Sequence, residues 1–144
     1  HGQRILEQKA CSARKTGVKN PIEKDEADFC PHLVVIHIGN NDASYIRNDS
    51  QRKMEFEREY AVFIKKVQKH HPGAALLCVL GLFGTELCDS VERCVKEAEG
   101  EVYFLQLEQQ KREDGLGTGE HPGPLVQEKT AQKLTEKIRQ IMKW

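Results

Sequence analysis

Two short stretches of the 144-residue chain hold side chains suited to proton transfer and charge stabilisation. The first is Gly39-Asn40-Asn41-Asp42, an amide pair and an acid behind a glycine. The second is His121-Pro122, a single histidine close behind Gly115, Gly117 and Gly119. A carboxamide N–H can stabilise an oxyanion, and an imidazole can take up and return a proton near neutral pH. Together they suit acyl transfer. Each stretch also has a plainer use. Asn and Asp favour strand-ending turns, and a histidine before proline can simply cap a helix.

The other polar candidates read as structural. His37 lies in an apolar run and reads as a hydrogen-bonded core histidine. His70-His71 reads as a helix end that complements the helix dipole. The five cysteines (Cys11, Cys30, Cys78, Cys88, Cys94) are odd in number and hold no C-x-x-C pair. They read as buried or incidental thiols rather than as a disulfide framework, and they lack zinc spacing. Gly115-x-Gly117-x-Gly119 has no strand immediately ahead of it, which argues against a nucleotide loop. Neither a metal nor a cofactor is expected.

The elements that must carry these residues follow from periodicity. Residues 33–38 (Leu-Val-Val-Ile-His-Ile) are almost wholly apolar and fit a strand buried on both faces. Phe56, Tyr60, Phe63, Ile64 and Val67 form one helical stripe, stopped at His70-His71-Pro72-Gly73. Residues 74–80 give a second buried strand. Leu87, Val91, Cys94, Val95 and Ala98 repeat the helical spacing, and residues 102–105 form a third strand. Residues 106–120 are a polar loop. A last helix after His121-Pro122 turns Ala131, Leu134, Ile138 and Ile141 inward. Strands alternating with helices imply a parallel α/β sheet, whose sites form at the carboxyl ends of its strands. Three loops reach that edge, at residues 39–45, 81–85 and 106–122, and the first and last hold the two candidate stretches. The chain reads as a single domain, with residues 1–31 an irregular lead-in and residues 32–144 the core.

Composition narrows the partners. Lys plus Arg and Asp plus Glu number 22 each, so the net charge is zero. That balance argues against a surface built for nucleic acid or for an anionic membrane. Charged residues make up 31% of the chain. The longest apolar stretch, residues 74–83, is far shorter than the ~18 residues of a membrane span. No secretory leader is read at the start, and a chain opening on His1 rather than Met implies a removed initiator or a cut piece.

Residues 34–42, a strand running into Gly39-Asn40-Asn41-Asp42, resemble the third sequence block of the SGNH (GDSL-type) hydrolases. His121-Pro122, ahead of a terminal amphipathic helix, resembles their fifth block. Within that superfamily the chain is most similar to the acetyl esterases of carbohydrate esterase family two. The shared features are the strand-to-G-x-N-D stretch, a tyrosine-bearing helix before His71-Pro72, and the G-x-x-x-H-P ending at Gly117 to Pro122.

The resemblance implies a three-layer α/β/α, flavodoxin-like sheet. It implies a serine esterase that deacetylates a carbohydrate through an acyl-enzyme. Asn41 would then donate to the oxyanion hole, with a backbone N–H from Gly17, and His121 would act as general base and then as general acid. Gly39 and Asp42 would support the turn. The family's acid ahead of the histidine is replaced here by Thr118 and Gly119, so a backbone carbonyl is left to orient the imidazole. The family's G-D-S block is absent, and Ser12 has no buried strand ahead of it. The nucleophile and first strand are therefore expected outside this sequence. A rival expectation is a catalytically incomplete remnant or a non-catalytic carbohydrate-binding scaffold. Loss of the first strand would leave residues 33–38 as an edge, to be covered by residues 1–19, paired with a second chain, or left to make the isolated chain poorly soluble.

Overall fold

The structure is a computed structural model and describes residues 29–144. Three strands, β1 (Leu33–Ile36), β2 (Ala75–Leu80) and β3 (Val102–Gln106), form one sheet in the order β1-β2-β3. Both pairings are parallel. Leu33 stands opposite Ala75 and Ile36 opposite Cys78, while Leu76 stands opposite Val102 and Leu80 opposite Gln106. The helices are α1 (Asn40–Ile46), α2 (Ser50–His70), α3 (Cys88–Glu97) and α4 (Pro124–Met142). Two 3₁₀ turns, Arg112–Asp114 and Thr118–Glu120, lie between β3 and α4.

Every residue of β2 is buried, because a central parallel strand is covered on both faces. Its side chains alternate. Leu76, Cys78 and Leu80 pack with Tyr60 and Ile64 of α2 and with Val91 and Cys94 of α3. Leu77 and Val79 pack with Leu107, Val126 and, from α4, Leu134, Ile138 and Ile141. This two-sided packing is the three-layer α/β/α arrangement.

Several expectations need correction. β1 ends at Ile36, so His37 and Ile38 lie beyond the strand, and Val35 and Ile38 are 40% and 44% exposed. Packing on the α4 side takes in Leu33 of β1 but leaves Val35 open. His37 is consequently exposed and not a core histidine. Residues 40–46 form a helix rather than a turn. Only Ile46 of α1 is buried, with Ala43 packed partly beneath it, and so short a helix shows no stripe in the sequence. α2 begins six residues ahead of its apolar stripe because the Asp49 carboxylate caps it, accepting from Arg52 N–H at 3.0 Å. Ala131 is exposed, lying off the inward line of Val126, Leu134, Ile138 and Ile141. Cys30 is disulfide-bonded, so the reading without disulfides fails there, since an odd count still leaves room for a pair. Cys78, Cys88 and Cys94 are free and buried.

Candidate functional site

His121 is held by a turn that its neighbours fold back on themselves. Leu116 bridges antiparallel to Pro122, and the Gly117 N–H donates to the His121 carbonyl at 2.7 Å. Gly119 takes φ +66, and a Cβ there would lie 3.2 Å from His121 Nδ1. The glycine thus serves both the backbone conformation and the seat of the ring. His121 Nδ1 lies 3.0 Å from the Thr118 carbonyl oxygen. A carbonyl only accepts, so Nδ1 carries the hydrogen in this bond. The lone pair is then left on Nε2, where a general base needs it. The imidazole is exposed, and the ring of Phe83 meets it edge-on at 6.0 Å and 81°.

The second candidate stretch lies at the end of β1. Gly39 has φ +119 and caps α1 through its backbone, its carbonyl accepting from Ala43 N–H at 3.1 Å. No side chain caps this helix, and Asp42 stands exposed in its first turn. A cavity of about 180 Å³ opens here, lined among others by Gly39, Asn40, Leu80, Phe83 and Glu86. Asn40 lines it, whereas Asn41 is exposed and is not part of the lining. The Asn40 amide nitrogen lies 3.5 Å from His37 Nε2. His37 is exposed by area, yet enough protein surrounds its ring that desolvation lowers its pKa.

Phe83 joins the two stretches. It lines the cavity beside Gly39 and Asn40 and touches the ring of His121. His121, Asn40 and Phe83 therefore share the carboxyl edge of the sheet. Asn40 belongs to the candidate stretch at residues 39–42 and Phe83 to the loop at residues 81–85 on the same edge, whereas no motif marks the glutamines around the histidine turn. Gly17 and Ser12 lie outside the described residues. A larger recess of about 320 Å³ between residues 107–114 and α4 is lined by none of His121, Asn40, Asn41 and Phe83, so the smaller cavity is the candidate.

The described thiols Cys78, Cys88 and Cys94 are buried and poorly suited to act as nucleophiles. Desolvation raises the pKa of Cys78 and Cys88, and it pushes Cys94 up to about 11. A thiolate is scarcely formed there at neutral pH. No serine hydroxyl is hydrogen-bonded to His121 among the described residues. Nor, among those residues, do three or more His, Cys, Asp or Glu side chains gather as a metal would require. No described helix is long and apolar enough to cross a membrane.

No protein-family model matches the sequence. The chain is 32% identical over 129 residues to the cellulase/esterase CelE of Acetivibrio thermocellus, a match covering 83% of this chain and 16% of that protein. Its fold superposes on a family two carbohydrate esterase from Clostridium thermocellum, solved in complex with cellohexaose. The TM-score is 0.72 at 29% identity, over 83% of this chain and 39% of the other. It also superposes on the acetyl xylan esterase Est2A of the rumen bacterium Butyrivibrio proteoclasticus. There the TM-score is 0.75 at 18% identity, over 88% of this chain and 43% of the other. The chain thus spans less than half the length of each of these relatives. By sequence and by fold, it resembles the family two carbohydrate esterases of the SGNH type.

Proposed function

We propose that this chain forms the histidine-bearing part of an esterase site that removes acetyl groups from a carbohydrate. The observation that carries this reading is the bond between His121 Nδ1 and the Thr118 carbonyl, which keeps Nε2 free to accept a proton. The names of the related proteins support the substrate class. In this reading a serine hydroxyl from outside this sequence attacks the ester carbonyl. Its proton passes to His121 Nε2 as the new C–O bond forms, and the carbonyl π pair moves onto oxygen. The family resemblance gives the oxyanion's donor as the Asn41 amide, although Asn40 rather than Asn41 lines the cavity; such a donor contributes roughly 2.7–4 kcal/mol where it has been removed elsewhere. Collapse expels the sugar hydroxyl, which takes the proton back from His121, and water repeats the sequence on the acyl-enzyme.

The test is hydrolysis of p-nitrophenyl acetate. The 144-residue chain alone should work no faster than free imidazole. Joined to the upstream part of its own reading frame it should turn over, and His121→Ala should lower that rate on the order of 10³-fold or more. An extended chain that is inactive, or that is indifferent to His121→Ala, refutes the esterase reading.

A second reading, a carbohydrate-binding scaffold without turnover, is favoured by the lack of a serine bonded to His121 among the described residues. Saturable cellohexaose shifts at Asn40 and Phe83, together with an inactive extended chain, would select it.

A further inference from the structure

The turn that seats His121 contains two successive residues at positive φ, Gly119 at 66° and Glu120 at 61°. The second is a conformation that an L side chain rarely adopts. Something outside the turn must therefore hold it.

Three consecutive carbonyls around the histidine each accept one hydrogen bond. The Glu120 carbonyl accepts from Gln110 Nε2 at 2.8 Å. The His121 carbonyl accepts from Gly117 N–H at 2.7 Å. The Pro122 carbonyl accepts from Gln127 Nε2 at 2.8 Å. Two of the three donors are side-chain amides, one from the segment after β3 and one from α4. Gln127 stands in the first turn of α4. Gln110 is anchored in turn, its own N–H donating to the Leu82 carbonyl at 2.9 Å. Leu82 immediately precedes Phe83, whose ring meets His121. Both the approach of Phe83 and the peptide ahead of the histidine thus depend on Gln110.

The orientation of the Gln110 amide is set by the Glu120 carbonyl that it faces. Facing a carbonyl, it must present Nε2, because Oε1 would set two acceptors against each other. Oε1 is then buried without a partner. A buried acceptor left unpaired needs a reason, and the held carbonyl of Glu120 supplies one.

We propose that Gln110 and Gln127 are the positioning residues of His121, clamping its peptide so that Nδ1 stays on the Thr118 carbonyl and Nε2 stays free. The proposal deepens the esterase reading and rests on it for its catalytic meaning, but its test is independent of turnover. The full chain, labelled with ¹⁵N at histidine, reports the tautomer of each imidazole through long-range ¹H–¹⁵N couplings. Neutral His121 should be the Nδ1–H form. Gln110→Met and Gln127→Met keep the length of the side chain and remove the donor. Each should lower the Nδ1–H to Nε2–H ratio of His121 roughly tenfold, equivalent to about one net hydrogen bond. The signals of His32, His70 and His71 should stay in place and report an intact fold.

An unchanged His121 tautomer in a folded Gln110→Met chain overturns the proposal. Should that variant fail to fold, the exposed Gln127 decides by the same criterion. The two readings fail separately. A clamped Nδ1–H histidine in an inactive extended chain sinks the esterase reading alone, whereas glutamine variants that leave the tautomer unmoved sink the clamp alone.

Discussion

At His121 the whole chemical case turns on which ring nitrogen carries the hydrogen, and one backbone oxygen decides it. The usual orienting partner of a catalytic histidine is a carboxylate, which also stabilises the imidazolium. A carbonyl fixes the tautomer but brings no full charge, so orientation depends more on a rigid turn. Gly119 is the weak point of that turn. Gly119→Ala places a Cβ against the imidazole and an L residue at φ +66. We expect a loss of roughly 1–2 kcal/mol in urea unfolding, with the ring displaced from Thr118. Unchanged stability and tautomer would show that the turn has room.

The buried thiols make a second prediction at this scale. Cys94 is raised to about 11 from an ordinary 9.0, first by desolvation and then by the Glu57 and Glu97 carboxylates. A pKa raised on folding means that the folded state holds its proton more tightly than the unfolded one. The corresponding stability is complete below pH 9 and drains away as pH rises toward 11. The urea midpoint should fall across that window, and a Cys94→Ala chain should show a shallower fall.

Among the elements, legibility in the sequence followed burial. β2 was plain because a strand covered on both faces must be apolar at every position, and Ala75 to Leu80 is. α4 is plain because its inward line repeats at helical spacing, although the same spacing points Ala131 inward and the structure leaves it exposed. α1 was not legible. Asn and Asp open it, and they signal turns as readily as helix starts. What makes it a helix is Gly39 at φ +119, together with the burial of Ile46, both of which depend on the tertiary fold.

The site divided in the same way. The candidates His121 and Gly39–Asp42 stand out in the sequence because one lies just ahead of a terminal amphipathic run and the other ends an apolar one. Phe83, Gln110 and Gln127 act through contacts between the β2 exit, the β3 exit and the start of α4, and no local pattern marks them. The α2 cap is set apart from the apolar stripe by six residues, so the stripe alone does not reveal where the helix begins. Asp49→Ala removes the acceptor for Arg52 N–H. It should cost about 1 kcal/mol, within a range of roughly 0.5–2. Denaturant unfolding would show it as a lower midpoint at unchanged slope, and an unmoved midpoint would mean that the cap is made by other groups.

For the molecule as a whole, the described sheet has β1 at one edge, and that edge is poorly defended. Residues 33–36 contain no charge and no proline, the devices that usually blunt such a strand. Val35 and Ile38 are 40% and 44% exposed. On α2, Val62 and Phe63 are 41% and 38% exposed. The relatives extend well past the length matched here, 39% and 43% of the two solved chains. Residues in the unmatched part would be natural cover for such an edge. In the 144-residue chain alone, we expect β1 to pair with β1 of a second copy. Light scattering should then give a mass that rises with concentration. Val35→Lys puts a charge where the side chain is already partly in water, so it should cost the fold little and return the chain to a monomer. Amide exchange at Val35 should quicken in the same variant. A wild-type chain that stays monomeric at every concentration, with slow exchange at Val35, would mean that the edge is already covered from within the chain.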